Sequence, residues 1–415
     1  MIRAMSRATL GFSAMQTIML LLYFVCKGTH FSRFFCQLAK KIVPLSPHEP
    51  NLLKLTNEKM RKKSFMLRTL AAGLAVFSSV AAMGQSEPDW LQDVSDRIQL
   101  HGYAQGGFNY THTDADDTNT YELKRTLFWA NAQITDRISF LFMHDFSSVV
   151  QEYYMDYRFS KNKALTVRLG QFKNGLSYEN PLSPTSMEAI DVYSEGVTYL
   201  TGCGSDPLIG VQYGRDLGMA VFGETNDGKI RYEVDIMNGQ AINKKDQNPE
   251  KDFIGRLEYR PAKGLNLVAT GQIGRGHAIK ESPYVHDIKV GENYKRNRWT
   301  VGFDYKSTAF NVHGEYLEGK DKNTTSRGAY VTGSVPVAKG VDLVGSYDYF
   351  NFNTDLDYDQ HKAIAGVQWW FFKKNRFQLQ YVYKSAGVAG GQFQKNASHA
   401  IMAQMQVRFD WAKKK

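Results

Sequence analysis

Charged side chains occupy alternate positions in several short, otherwise apolar runs of this sequence. Arg231, Glu233 and Asp235 alternate with apolar neighbours, and Arg256 and Glu258 do the same. Alternate side chains of a β-strand point to opposite faces, so these runs predict strands with one apolar and one charged face. A dry core does not tolerate both signs of charge at this density. The charged face is therefore predicted to line a wet interior, where it would act on dissolved ions.

Motifs that support catalysis or metal binding are missing from the sequence. It contains no G-x-S-x-G, H-E-x-x-H, phosphate-binding loop or Cys/His cluster. Two groups of closely spaced aspartates, around 114–117 and 355–359, lack the downstream glycine and glutamate of a calcium-binding EF-hand loop. We predict no enzyme, no cofactor and no metal site. The alternative functions that we consider are those of a membrane-embedded hydrolase and of a non-conducting adhesin or structural barrel.

The elements that carry these residues are short alternating strands, of which the last is the clearest. From Ile401 to Phe409, apolar residues alternate with a mostly polar row. Such strands with polar connections are typical of a transmembrane β-barrel, because a sheet in lipid must pair every backbone group and only closure removes its edges. Sixteen strands are predicted, at residues 98–111, 121–134, 138–147, 151–159, 164–173, 208–224, 229–238, 252–260, 265–274, 298–306, 310–318, 327–336, 341–350, 361–372, 376–385 and 399–411.

Short and long connections alternate along the chain, as they do in outer-membrane barrels, where short turns face the periplasm. Tight turns at 135–137, 161–163 and 261–264 separate longer polar loops such as 275–297 and 319–326. Residues 207–224 are read as one strand because two strands there would break this rhythm and leave an odd number. The fold class is thus all-β, an antiparallel transmembrane barrel of about 16 strands, wide enough for an aqueous lumen.

The N-terminal residues have a different composition and are assigned to export. Residues 60–84 form a signal peptide, with a basic start, a short apolar stretch and small residues before Gln85. Residues 1–59 are interpreted as a mis-assigned upstream start or an unstructured segment, with a membrane anchor or second targeting segment as the alternative. Residues 85–97 would form a periplasmic segment and 98–411 the barrel. Because residues 1–84 hold 12 of the 51 basic residues and two of the 41 acids, the mature chain is neutral, which gives no support for nucleic-acid binding.

A stretch from Asn174 to Asp206, which contains Pro181 and Pro184 and shows no alternation, interrupts the strands. A loop this long is usually functional, and we expect it to fold into the lumen as a constriction. It would bring Glu179, Glu188, Asp191 and Glu195 opposite wall cations such as Arg168. The alternative is an external loop that packs on a neighbouring subunit or on lipopolysaccharide.

Two segments of the chain resemble the phosphate-selective porin O/P family. The first is Val167-Arg168-Leu169-Gly170-Gln171-Phe172-Lys173 followed by Ser177 and Glu179, and the second is Gly214-Arg215-Asp216-Leu217-Gly218 followed by Asn238-Gly239. Their order and spacing agree with that family over about residues 95–411. The resemblance implies a trimeric, 16-stranded outer-membrane porin of a Gram-negative bacterium, which passes small hydrophilic solutes by passive diffusion and contacts lipid and lipopolysaccharide.

Basic residues on the predicted inward rows are the candidate anion-binding groups of such a channel. Guanidinium and ammonium groups attract phosphate and other small anions, although acids lie beside them in this sequence. The candidate pore-lining residues are Arg125, Arg158, Arg168, Lys173, Arg256 and Arg298.

Overall fold

Sixteen antiparallel strands close into one barrel in the computed structural model, which describes residues 97–160 and 162–411. The segments at 1–59 and 60–84 and all but the last residue of 85–97 lie outside the described residues. Within the described part, no helix is long and apolar enough to cross a membrane. The barrel strands are β1 (Ile98–Thr113), β2 (Asp117–Gln133), β3 (Ile138–Asp145), β4 (Val150–Arg158), β5 (Thr166–Lys173), β8 (Arg215–Glu224), β9 (Ile230–Met237), β10 (Asp252–Ala262), β11 (Leu265–His277), β12 (Asn293–Lys306), β13 (Asn311–Asp321), β14 (Thr324–Ala338), β15 (Val341–Asn351), β16 (Asp359–Phe372), β17 (Asn375–Lys384) and β20 (Ser398–Trp411).

Closure of the barrel places apolar residues outside and polar residues inside. The last strand, β20, pairs with the first, β1, from Leu100 opposite Trp411 to Thr113 opposite Ser398, so neither strand is left as an edge. On β20, alternate residues such as Val407 and Phe409 stay about half exposed on the outer face, at 54% and 52%. Gln404 and Gln406 between them are buried on the lumen side. This arrangement confirms the predicted facing of the final strand.

The tight turns fall where the sequence predicted them, but some long loops are shorter. Gly264 adopts a φ of +83°, and a Cβ there would lie 2.3 Å from the carbonyl oxygen of Lys306, so the turn requires glycine. The predicted loop at 319–326 is wrong, since β13 and β14 continue to Asp321 and Thr324 and leave a two-residue turn. The two strands pair along their full lengths, and this pairing extends them beyond the alternating run.

The strand predicted at 208–224 begins only at Arg215, so the long connection between β5 and β8 spans residues 174–214. We name this segment the inward loop. It contains a 3-10 turn (Pro184–Ser186), the helix α1 (Glu195–Thr201) and two short strands, β6 (Ser205–Asp206) and β7 (Gly210–Val211). These two strands pair with each other and not with the barrel strands. A second pair, β18 (Gly387–Ala389) and β19 (Gln392–Gln394), lies in another loop.

The prediction of an early strand start failed because apolar residues there have another partner. Leu208 and Ile209 are fully buried and pack with Val285 and Ile288 of the connection between β11 and β12. The sequence shows that these side chains are apolar, but not that they pack on another loop instead of on lipid. The inward fold of the loop predicted at residues 174–206, by contrast, is confirmed, and the loop extends to residue 214.

Candidate functional site: the inward loop and the lumen wall

Local caps shape the inward loop before it meets the wall. The Ser183 side chain accepts a hydrogen bond at the start of the Pro184–Ser186 turn. The Ser194 hydroxyl accepts one from the backbone N–H of Val197 at 3.2 Å and starts α1. Gly202 ends the helix at a φ of +64°, the left-handed conformation that glycine adopts without strain. The segment is therefore a folded insert with defined helical turns.

The first part of the inward loop is fixed to strands β9–β11. The backbone N–H of Gly175 donates to Asp235 Oδ2 at 2.7 Å, and that of Ser177 donates to Thr270 Oγ1 at 3.0 Å. Arg256 Nη1 donates to the carbonyl oxygen of Ser177 at 2.5 Å. These buried wall groups satisfy backbone atoms that would otherwise lose water without compensation, so this anchor is strong.

The middle of the inward loop is fixed to strand β17 on another side of the barrel. Arg376, with 1% of its surface exposed, donates through Nη2 to the carbonyl oxygen of Met187 at 2.6 Å. Gln378 and Gln380 both donate to the carbonyl oxygen of Glu188, at 2.8 and 2.7 Å. The donors are amides and a guanidinium, whose charges do not change at ordinary pH. The inward loop thus crosses the lumen and is held at both sides.

Carboxylates of the inward loop pair with basic groups of the wall. Glu179 Oε1 lies 3.1 Å from Nε2 of His313 on β13, and Glu188 Oε2 lies 3.9 Å from Nδ1 of the same ring. Asp191 Oδ1 lies 3.6 Å from Nζ of Lys124 on β2. Acids of the inward loop therefore meet cations of the wall, but these cations are Lys124 and His313 and not Arg168.

The fourth loop carboxylate, Glu195, has two ammonium partners. Its Oε1 lies 3.1 Å from Nζ of Lys362 on β16 and 2.8 Å from Nζ of Lys384 on β17. Burial raises the pKa of Glu195, but the two lysines more than offset this and lower the pKa to about 2. Burial likewise raises the pKa of Asp191, and Lys362, Lys384 and Lys124 together lower it below the usual range. Both carboxylates are charged at neutral pH.

The prediction that Arg168 faces the loop acids is wrong, because a nearer carboxylate takes it. Arg168 Nε and Nη2 donate to the two carboxylate oxygens of Asp156 at 2.7 and 2.9 Å, and its guanidinium stacks on the ring of Tyr154. Lys173 does not line open space either, since its Nζ donates to the carbonyl oxygen of Leu182 at 2.6 Å. One of these cations is neutralised on the wall and the other holds the inward loop.

Two further candidates, Arg256 and Arg298, face the lumen but are buried and paired. Arg256 Nε donates to Glu258 Oε1 at 2.8 Å, and Arg298 Nη2 donates to both oxygens of Asp321 at 3.1 Å. Their inward orientation agrees with the alternation of β10 and β12. Because each guanidinium has a carboxylate partner, neither contributes a free positive charge to a passing solute.

Arg125 and Arg158 are the predicted cations whose charge is least compensated. Arg125 Nη1 donates to the neutral amide oxygen of Gln105 at 3.2 Å. Arg158 lines a cavity of about 280 Å³ together with Arg137 near the tight turns. Among the described residues, neither Arg125 nor Arg158 has a carboxylate at ion-pair distance. The anion-binding role of these residues stays a prediction.

An open space inside the barrel lies on the side of the tight turns. A cavity of about 730 Å³ there is lined by Tyr178, Pro181 and Leu182 of the inward loop and by the ends of β9–β12. Between the inward loop and strands β14–β16 lies a cavity of only about 10 Å³, so the loop packs closely on this part of the wall. The inward loop therefore borders an open vestibule on one side and packs against the wall on another.

The basic partners of the loop acids were missed by sequence reasoning. Lys124, His313, Lys362 and Lys384 all lie on the lumen side of strands that the alternation identifies. Alternation gives the inward facing of His313, Lys362 and Lys384, whereas Lys124 turns inward at a bulge opposite Gln105 and Gly106. The partners could not be read from the sequence, since Glu179 and His313 are 134 positions apart. Arg376 was missed for the same reason.

Comparisons with known proteins give a likeness in fold alone. No family model matches the chain, and no curated protein matches it. Among solved structures, an anion-selective porin from Comamonas acidovorans is 15% identical with a TM-score of 0.57, over 75% of this chain and 99% of that chain. OmpF of Salmonella typhi, in a complex with daunomycin, is 12% identical with a TM-score of 0.55, over 75% and 98% of the two chains.

OmpT of Vibrio cholerae in a trimer form is 14% identical with a TM-score of 0.51, over 75% of this chain and 99% of that chain. The chain therefore has the closed barrel fold of these outer-membrane proteins. At such low identity, solute, selectivity and assembly do not transfer from them to this chain.

Proposed function

We propose that this chain forms a water-filled channel in an outer membrane, through which small hydrophilic solutes diffuse passively, with the inward loop as its constriction. The observation that carries this proposal is the closed 16-stranded barrel with an apolar exterior and a charged interior. An exterior of this kind is stable in lipid, and a charged interior requires water or ion pairs. Similarity in fold to an anion-selective porin supports the same reading.

Anions, including phosphate, are the proposed preferred solutes. Arg125 and Arg158 support this preference because their guanidinium groups lack carboxylate partners among the described residues, and Arg137 lies beside Arg158. A homotrimer in contact with lipid and lipopolysaccharide is proposed as well, on the analogy of the trimer form of OmpT. The export signal at residues 60–84 would deliver the chain to that membrane.

The test is electrical. Full-length protein, expressed with its leader and purified from outer membranes, is inserted into a planar lipid bilayer under a salt gradient. Stepwise current establishes a channel, and the reversal potential gives its ion preference. We expect Arg125→Gln to lower anion preference and the double variant Arg168→Gln with Asp156→Asn to change it less, because the double variant removes an ion pair with no net charge. Equal shifts for both variants would contradict the charge argument.

A matched control is Lys289→Gln, which removes an exposed lysine in the connection between β11 and β12. It should leave both conductance and reversal potential unchanged. The close packing of the inward loop on β14–β16 favours the second candidate, a barrel that inserts but does not conduct. Inserted protein that stays silent under all conditions would support that candidate over a channel.

A further inference from the structure

We propose that His313 is a proton-controlled clasp that holds the inward loop closed and releases it when the imidazole loses its proton. The proposal rests on the channel function above and adds a regulation to it. His313 projects from β13 into the lumen with 5% of its surface exposed. Its two ring nitrogens face two different points of the inward loop, Glu179 and Glu188. One side chain thereby joins two passes of the loop to the wall.

The charged imidazolium is the form of the ring that attracts both carboxylates. Glu179 Oε1 stands 3.1 Å from Nε2 and Glu188 Oε2 stands 3.9 Å from Nδ1. Only the protonated ring carries an N–H on both nitrogens, while the neutral ring carries one. Glu179 is fixed on its other side, because its Oε2 accepts a hydrogen bond from the backbone N–H of Ser194 at 2.8 Å. The carboxylate therefore stays in place to receive the imidazolium.

Other charged groups around the ring act in the same direction. Asp304 of β12 pairs in register with His313, and Glu315 follows on β13 itself. The aromatic rings of Tyr178 and Tyr330 contact the imidazole. The titratable groups that face His313 from each packed element are Tyr178, Glu179 and Glu188 of the inward loop, Asp304 of β12, Glu315 of β13 and Tyr330 of β14.

Loss of the proton from His313 turns the electrostatic interactions around the ring from attractive to repulsive. With an imidazolium present, its positive charge compensates the surrounding carboxylates; without it, negative groups face one another in a site of low polarity. Two of them have other partners, since Glu315 accepts from Tyr178 N–H at 2.9 Å and Asp304 lies 3.1 Å from Lys306 Nζ. Among the residues that the structure describes, the one cation at ion-pair distance from the Glu188 carboxylate is His313, at the longer distance of 3.9 Å. Release is therefore expected as pH rises.

The clasp lies at a position where release would widen the lumen. The residues next to Glu179, namely Tyr178, Pro181 and Leu182, line the vestibule of about 730 Å³. The 184–188 region remains held by pH-independent donors such as Arg376 and Gln378. Movement is therefore confined to the part of the inward loop that lines the vestibule, around Pro181 and Leu182.

The first experiment records bilayer conductance of the full-length protein between about pH 5.5 and about pH 9, a range that brackets imidazole titration. We expect conductance to rise with pH, with the open-to-closed ratio changing about tenfold if released and clasped states differ tenfold in proton affinity. His313→Gln, which is never charged, should conduct at all pH values as the wild type does at high pH. His313→Lys, charged throughout this range, should stay at the low-pH level. The control is His361→Gln, which removes an exposed imidazole on the outer face and should keep the wild-type profile.

A second measurement does not depend on conduction. Amide hydrogen exchange of residues 179–183, corrected for the intrinsic effect of pH, should accelerate with pH in the wild type and not in His313→Lys. A wild-type channel whose conductance and exchange are both flat with pH overturns the clasp and leaves the channel function intact. Protein that never conducts but shows the pH-dependent exchange overturns the channel function and keeps the clasp. A conductance profile of His313→Gln that depends on pH as the wild-type profile does also overturns the clasp.

Discussion

The contact of Glu195 with Lys362 and Lys384 predicts how strongly one carboxylate stabilises the inward loop. Its pKa falls from 4.5 to about 2 in the folded protein, and the Glu195 side chain keeps 18% exposure. A difference of one pKa unit corresponds to about 1.4 kcal/mol, so the charged carboxylate contributes about 3 kcal/mol to folding at neutral pH. Glu195→Gln, which mimics the protonated acid, should lower the free energy of unfolding by that amount at about pH 6.

The same pair predicts how the effect depends on pH. Because the folded pKa is depressed, the stabilisation is complete above the unfolded pKa of 4.5 and is lost as pH falls through about 2. The difference between wild type and Glu195→Gln should therefore shrink from about 3 kcal/mol at about pH 6 to about 1 kcal/mol at about pH 3. Equilibrium urea titrations of the protein in lipid vesicles at the two pH values measure both quantities.

A matched control separates this pair from general acid effects. Glu281→Gln removes an exposed carboxylate in the connection between β11 and β12 and should change the free energy of unfolding by less than about 0.5 kcal/mol at either pH. A Glu195→Gln variant as stable as the wild type at about pH 6 would refute the assigned ion pair. A loss that stays the same at both pH values would refute the pKa argument.

Three further substitutions or reactions test other contacts of the inward loop. Gly214→Ala should destabilise by roughly 1–3 kcal/mol in the same urea titration, because φ is +67° and a Cβ would lie 1.9 Å from Asn180 Oδ1. Arg376→Met should increase channel conductance and cost about 2 kcal/mol or more, since the Met187 carbonyl loses its donor; an unchanged conductance would contradict the anchor. Burial raises the pKa of Cys203 to about 11, so alkylation at about pH 8, with the other two cysteines replaced by serine, should occur only after unfolding; rapid labelling of folded protein would argue against its burial.

The barrel could be predicted from the sequence because its pattern is local. A period of two residues assigns both element type and facing, so Val407 and Gln406 were placed on the correct faces from one strand alone. Strand number followed from the same pattern with the alternation of connections. The ends of strands are harder to predict, as at Asp321 and Thr324, where backbone pairing continues without a clear apolar row.

The partners inside the lumen could not be predicted because they depend on long-range geometry. The sequence shows acids in the inward loop and bases on the wall, but any of several cations could meet them. Arg168 was a reasonable partner for Glu179 until β4 placed Asp156 directly opposite it in register. The location of Leu208 failed in the same way, since its apolar contact lies in another loop.

The two kinds of anchor give the inward loop different responses to its surroundings. Contacts made by Arg376 and Gln378 involve groups whose charges do not change at ordinary pH, so they hold the middle of the loop over that range. Contacts made by Glu179 and Glu195 depend on protonation, but they respond to a change of pH in opposite directions. The pair of Glu195 with two lysines weakens in acid, whereas the clasp of Glu179 with His313 weakens in base. The constriction is therefore expected to be tightest between the pH at which Glu195 gains a proton and the pH at which His313 loses one.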